Sequence, residues 1–214
     1  MISFVTNYDE ATLCNYEVYV NCGLAPTISL LSDDATAGNL VSELAAVSRN
    51  VFAMSHGNDS KLCDQQGNDT FNEATLVSLS NGEPFNVFAY ACNTSKVLGQ
   101  IAAQNDIKWF GFVEPINPPE TDISLQTVYV DIFNFIYDNF PSVSCDNTAL
   151  EFLEELKLLC DRKRADIDAT TLSDGNLPPV SAYISVKQIW EKQKIWLSGN
   201  NSVVHPQAPA PIIW

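Results

Sequence analysis

Two short apolar runs constrain this chain more than any other feature: Val51-Phe52-Ala53-Met54 and Phe85-Asn86-Val87-Phe88-Ala89-Tyr90-Ala91. Both are nearly continuous, bounded by turn residues and too short for ordinary helices, which is the pattern of strands buried on both faces of a parallel sheet. Each stops at a reactive residue, the first at Ser55-His56-Gly57 and the second at Cys92-Asn93-Thr94. In open α/β sheets, ligands and chemistry gather beyond the carboxyl ends of the strands. A histidine and a cysteine ending two strands of one sheet can meet there as base and nucleophile.

The flanking sequence supports such a sheet. Ile2 to Thr6 predicts a first strand, and Asn15 to Val20 alternates well enough for another. Thr27 to Leu31 predicts a third, followed by turn and N-cap chemistry at Ser32-Asp33-Asp34. Leu40, Val41, Leu44, Ala45 and Val47 then keep helical spacing up to the His56 strand, which makes a strand–helix–strand unit. Between the two reactive residues, Gly67-Asn68-Asp69 predicts the turn of a small hairpin. Asn72 to Leu79 predicts a short helix, broken at Asn81-Gly82-Glu83-Pro84. A helix from about Ser95 to Asn105 and a strand over Ile107 to Val113 complete the pattern. The fold class is α/β, a doubly wound, mostly parallel sheet flanked by helices.

Beyond Pro119 the pattern turns helical. Val128, Ile132, Phe133, Ile136 and Phe140 keep helical spacing until Pro141. Thr148-Ala149-Leu150-Glu151 has the form of a capping box. The helix it opens carries acidic residues early and Lys163 and Arg164 late, and its apolar face is Leu150, Leu153, Leu156, Leu159 and Cys160. Asp168 to Pro179 reads as a loop. A last helix is expected from about Ser185 to Leu197, stopped at Gly199. The chain thus reads as one domain over 1–200, with a motif-bearing core at 27–117 and a helical region at 120–200. A proline-rich tail follows at 201–214, including Pro206, Pro209 and Pro211.

Charge and composition exclude several functions. Eleven basic against 26 acidic residues give a net charge of -15, a field that repels nucleic acid and anionic membranes and favours cationic partners. The N-terminus lacks the basic and apolar regions of a signal peptide, and no run approaches the roughly 18 apolar residues of a membrane span. A soluble, cytoplasmic protein is expected. The six cysteines include no Cys-x-x-Cys, so no metal site is signalled, and all but Cys92 are expected as small buried hydrophobes. No glycine-rich phosphate-binding motif follows any strand, so a nucleotide-binding sheet has no support, and no cofactor is implied.

The chemistry narrows further. A cysteine nucleophile needs a base beside it, and the developing oxyanion needs amides aimed at it. The chain has only two histidines, and His205 falls in the proline-rich tail. Imidazole chemistry in the folded body must therefore use His56. Gly57 lets backbone approach a substrate, and the helix expected after Cys92 would offer free amides. Both residues also have an ordinary structural reading: a histidine hydrogen-bonded at a strand end, and a cysteine that is merely small and apolar.

Residues 27 to 117 resemble the caspase-like cysteine peptidases, most closely the prokaryotic CHAT branch. The resemblance is carried by Ile28-Ser29-Leu30-Leu31 with Asp34-Ala35-Thr36, by Val51 to Gly57 with its Ser-His-Gly ending, and by Phe88-Ala89-Tyr90-Ala91-Cys92-Asn93-Thr94. Gly67, Phe71 and Leu79 fit the intervening hairpin and helix. The resemblance implies a caspase-like sheet and an endopeptidase in which Cys92 attacks a peptide carbonyl and His56 shuttles the proton. It also implies an oxyanion hole from the amides of Gly57 and Cys92. It departs from true caspases in having Asn93-Thr94 after the cysteine. It departs from basic-specific relatives in having Tyr90 where they carry Asp. Family members often carry a fused sensor, which implies a separate activator, sensor or inhibitor protein here, in bacterial antiviral defence or another regulated-cleavage system. The alternative is a catalytically silent relative that serves as a binding or scaffold module.

Overall fold

The computed structural model describes residues 1–46, 49–79 and 83–210. Val47, Asn81, Gly82 and Pro211, singled out above, lie outside the described residues. The main sheet has seven strands: β1 (Ile2–Val5), β2 (Ile28–Leu31), β3 (Val51–Met54), β7 (Asn86–Tyr90), β8 (Lys108–Phe112), β9 (Gln193–Leu197) and β10 (Asn201–Val204). Their order is β2-β1-β3-β7-β8-β9-β10, the first five parallel and the last two antiparallel additions. The reactive runs are β3 and β7, neighbours at the centre of the sheet with all of their residues buried. A second sheet, β4 (Gly57–Asn58), β5 (Lys61–Cys63) and β6 (Asp69–Phe71), holds the expected hairpin. The buried Asp64 carboxylate organises its turn by accepting the amides of Gln66, Asn68 and Ala37, which ties the hairpin to α2 (Ala37–Ala46).

Alternation along the strands divides the apolar side chains between two layers. Phe52, Met54, Phe88, Tyr90, Phe110 and Phe112 face α1 (Glu10–Asn21), α5 (Gln126–Asn139), α6 (Asp146–Asp168) and α7 (Val180–Glu191). Val51, Ala53, Val87, Ala89 and Trp109 face α2, α3 (Glu73–Leu79) and α4 (Leu98–Gln104). On the first face, Phe52 stacks on Phe88 at 5.1 Å between ring centres, and Phe110 meets Phe140 and Phe152 edge-on. Burying each such ring contributes about 2 kcal/mol.

Four expectations are corrected here. Asn15 to Val20 is not a strand but part of α1: Thr12, Asn15, Val18 and Tyr19 are buried at helical spacing, and Asp9 with Thr12 forms a capping box. The box of α6 lies one turn earlier than expected, where the Thr148 hydroxyl accepts the Cys145 amide. Its inward face uses Ala149 and Phe152 while Leu150 is exposed, and it runs on to Asp168 without basic residues in its last turn. The last helix begins earlier, at Val180, and Gln193 to Leu197 is strand β9, with Ile195 and Leu197 on one face and Trp196 on the other. Gly199 and Asn200, both at positive φ, then turn the chain into β10, so the tail begins inside the sheet.

The cysteines also divide. Cys22 and Cys160 are buried, Cys14 and Cys63 are half-buried, and Cys145 is exposed at the cap of α6. None forms a disulfide. No helix among the described residues is long and apolar enough to cross a membrane.

Candidate active site

The register of β3 on β7 pairs Met54 with Tyr90, and the ladder continues as the Ser55 amide donates to the Tyr90 carbonyl. His56 and Cys92 each stand two residues past that pair, on strands about 4.8 Å apart. Both line one small cavity of about 40 Å³, together with Ala11, Asn15, Ile116 and Pro118. Hydroxyls hold the histidine's strand end in place: Thr6 Oγ1 donates to Ser55 Oγ at 2.9 Å, and Ser55 Oγ donates to the Cys63 carbonyl at 2.8 Å.

One nitrogen of His56 is committed. Its Nε2 lies 2.6 Å from Asp9 Oδ2, and the Tyr8 ring tilts against the imidazole at 5.6 Å. Asp9 is held by its other role as N-cap of α1, where Oδ1 accepts the Thr12 amide at 2.9 Å. Partial burial pushes the Asp9 carboxyl up, but the Thr12 amide and hydroxyl and the His56 ring outweigh it and hold it below the usual carboxylate value. Among the described residues, no hydrogen bond is made by Nδ1 of His56. Asp9 was not recognised as a site residue in the sequence. Asp9-x-x-Thr12 was a readable helix signal, but nothing local links it to a histidine 47 residues away.

Cys92 is half-buried, and its sulfur is engaged by the backbone of Ile116. The Ile116 amide donates to Sγ at 3.4 Å, and Sγ lies 3.8 Å from the Ile116 carbonyl oxygen. The loop is itself anchored: the Asn117 amide donates to Gln188 Oε1, Tyr90 donates its hydroxyl to the Asn117 carbonyl, and Lys192 donates to the Pro115 carbonyl. The structure brings His56 and Cys92 to one cavity, and among the described residues no hydrogen bond joins them.

Gly57 is sterically required. A Cβ there would stand 2.5 Å from Thr94 Cγ2 and 3.1 Å from the Ala91 Cβ. The Cys63 amide donates to the His56 carbonyl, so Gly57 opposite Leu62 occupies the non-bonded position of the ladder, and its own amide points away from β5. The helix amides expected after Cys92 are a correction. A turn with Asn93 at φ 60° follows the cysteine, α4 starts only at Leu98, and the amides of Leu98 and Gly99 are spent on Asp59 and Thr94 carbonyls.

Comparison with family models, curated proteins and solved structures finds no match. The site stands on its geometry. What that geometry can do is put a thiol and an imidazole with one nitrogen held by a carboxylate around one small cavity.

Proposed function

We propose that the chain is a caspase-like cysteine endopeptidase working through Cys92 and His56. The observation that carries this reading is their convergence from adjacent parallel strands on one cavity, with Nε2 of His56 held by Asp9. Asp9 orients the ring through Nε2, leaving Nδ1 to move the proton. In the proposed reaction, Sγ of Cys92 bonds to a peptide carbonyl carbon as His56 takes the thiol proton. The amides of Gly57 and Cys92 receive the oxyanion. His56 then passes the proton to the leaving amine as the C–N bond breaks. Water, deprotonated by His56, hydrolyses the thioester and restores the thiol.

The reaction needs Ile116 to release the sulfur, which its backbone amide and carbonyl engage. This supports regulation by a separate protein that moves the 114–118 loop. The same engagement of the sulfur favours a second reading, a silent module that retains the pair but never releases it.

Thiol alkylation tests both. Cys145 is a confounding thiol: it is exposed, and contacts with Thr148 hold it below the usual thiol value. The experiment therefore uses a Cys145→Ser background, which keeps a capping side chain. Iodoacetamide is expected to modify Cys92 first, with the rate falling sharply in His56→Ala. Labelling of Cys92 no faster than Cys14 or Cys63, and indifferent to His56, would sink the peptidase reading in favour of the silent one.

A further inference from the structure

Next to the Cys92 cavity lies a larger cleft of about 570 Å³, within the range of ligand sites. Ala11 and Pro118 line both, so the two spaces adjoin along one face of α1. The cleft's charged lining is wholly acidic: Asp9, Glu10 and Glu120. Among the described residues neither Glu10 nor Glu120 forms an ion pair, so their charge is uncompensated by the protein. The half-buried Cys14 thiol between them registers the field, being pushed up by burial and then by Glu17, Glu10 and Glu120.

A second observation points to a missing donor. Asn15, one turn along α1 from Ala11, lines the Cys92 cavity and is 5% exposed, and among the described residues its Oδ1 has no hydrogen-bond partner. A buried acceptor left unpaired costs on the order of 1–3 kcal/mol, so a site that keeps one gains from a ligand N–H.

We propose that this cleft, together with Asn15, is the subsite for a lysine or arginine side chain of the substrate, adjoining the bond to be cleaved. The proposal rests on the peptidase reading. The long side chain passes Ala11 and Pro118 into the cleft, where Glu10 and Glu120 face its cation, and Asn15 Oδ1 accepts an N–H of the same residue. The position two before the nucleophile contributes no charge, because the Tyr90 hydroxyl is spent on the Asn117 carbonyl. The carboxylates come instead from α1 and from the segment after Pro119.

The test separates binding from chemistry. Cys92→Ala protein is titrated by NMR with Nα-acetyl-arginine amide, the lysine amide and the norleucine amide as neutral control. The cationic amides are expected to bind about tenfold tighter than norleucine, with shifts in α1 and near Glu120. Glu10→Gln and Glu120→Gln, singly and together, should erase that preference while leaving the thermal midpoint in place. Equal binding of arginine and norleucine amides, or a preference indifferent to both glutamates, overturns the subsite. Cation preference without His56-dependent labelling of Cys92 would retain a cation-binding cleft and discard the peptidase.

Discussion

The two histidines have similar first partners and different fates. His56 Nε2 is hydrogen-bonded to the Asp9 carboxylate at 2.6 Å, whereas His205 Nε2 lies 3.1 Å from that of Glu154 without the alignment of a hydrogen bond. The second nitrogen divides them. In His205, Nδ1 accepts the Gln207 amide at 3.0 Å, and the ring packs edge-on against Trp190 with only 1% of the residue exposed. In His56, Nδ1 has no hydrogen-bond partner among the described residues, and the ring lines the cavity that holds Cys92. A carboxylate on an imidazole therefore identifies neither a structural nor a reactive histidine. What matters is whether the opposite nitrogen is consumed by the fold. His205 closes the end of β10 against α6 and α7, whereas His56 is held at one end and available at the other.

Exchanging the perturbation between the two rings tests this contrast most strongly. His56→Ala should slow Cys92 alkylation, and cleavage once a substrate is in hand, by about a thousandfold with little change in unfolding midpoint. His205→Ala should leave the Cys92 rate within about twofold. Equal losses of reactivity from both would break the comparison.

Stability should show the reverse order. His205→Ala removes a buried ring and leaves the Gln207 amide without its acceptor, at a cost of about 2–3 kcal/mol in denaturant unfolding. The partly exposed His56 should cost under about 1 kcal/mol on truncation.

The carboxylates sharpen the contrast at smaller scale. Asp9→Asn keeps the helix cap but removes the charge facing Nε2, and should slow Cys92 alkylation about tenfold. Glu154→Gln should leave that rate unchanged. The smallest effect is the pH dependence of Asp9's stabilisation. Its folded-state value lies below its unfolded value, so its contribution is present in full above the ordinary carboxylate range and is lost as pH falls through the depressed value. The stability difference between the native chain and Asp9→Asn should accordingly be flat near neutrality and shrink in acid. A difference that grew on acidification would show the sign to be wrong.

The parts legible in the sequence were those in which a residue's neighbours in the chain are also its determinants. Val51 to Met54 and Phe85 to Ala91 announced buried strands because every position is apolar, and Gly67 announced its turn. Gln193 to Leu197 was ambiguous for a physical reason: five residues with three apolar side chains fit one turn of helix or one short strand. Pairing with Lys108 to Phe112 made it a strand. Asn15 to Val20 failed similarly, because an alternation of polar and apolar residues over six positions is also consistent with one and a half turns of an amphipathic helix.

By itself, the sequence determined that His56 and Cys92 follow two buried strands of a mostly parallel α/β sheet, since local apolar runs and turn residues suffice for that. Only the tertiary structure decided that the two ends adjoin, that Asp9 holds the imidazole, that the Ile116 backbone engages the sulfur and that His205 is buried beside Trp190. These include pairings across 24 to 51 residues, from Cys92 with Ile116 to Glu154 with His205. Register, burial and loop packing choose them, and no stretch of neighbouring residues encodes any of these alone.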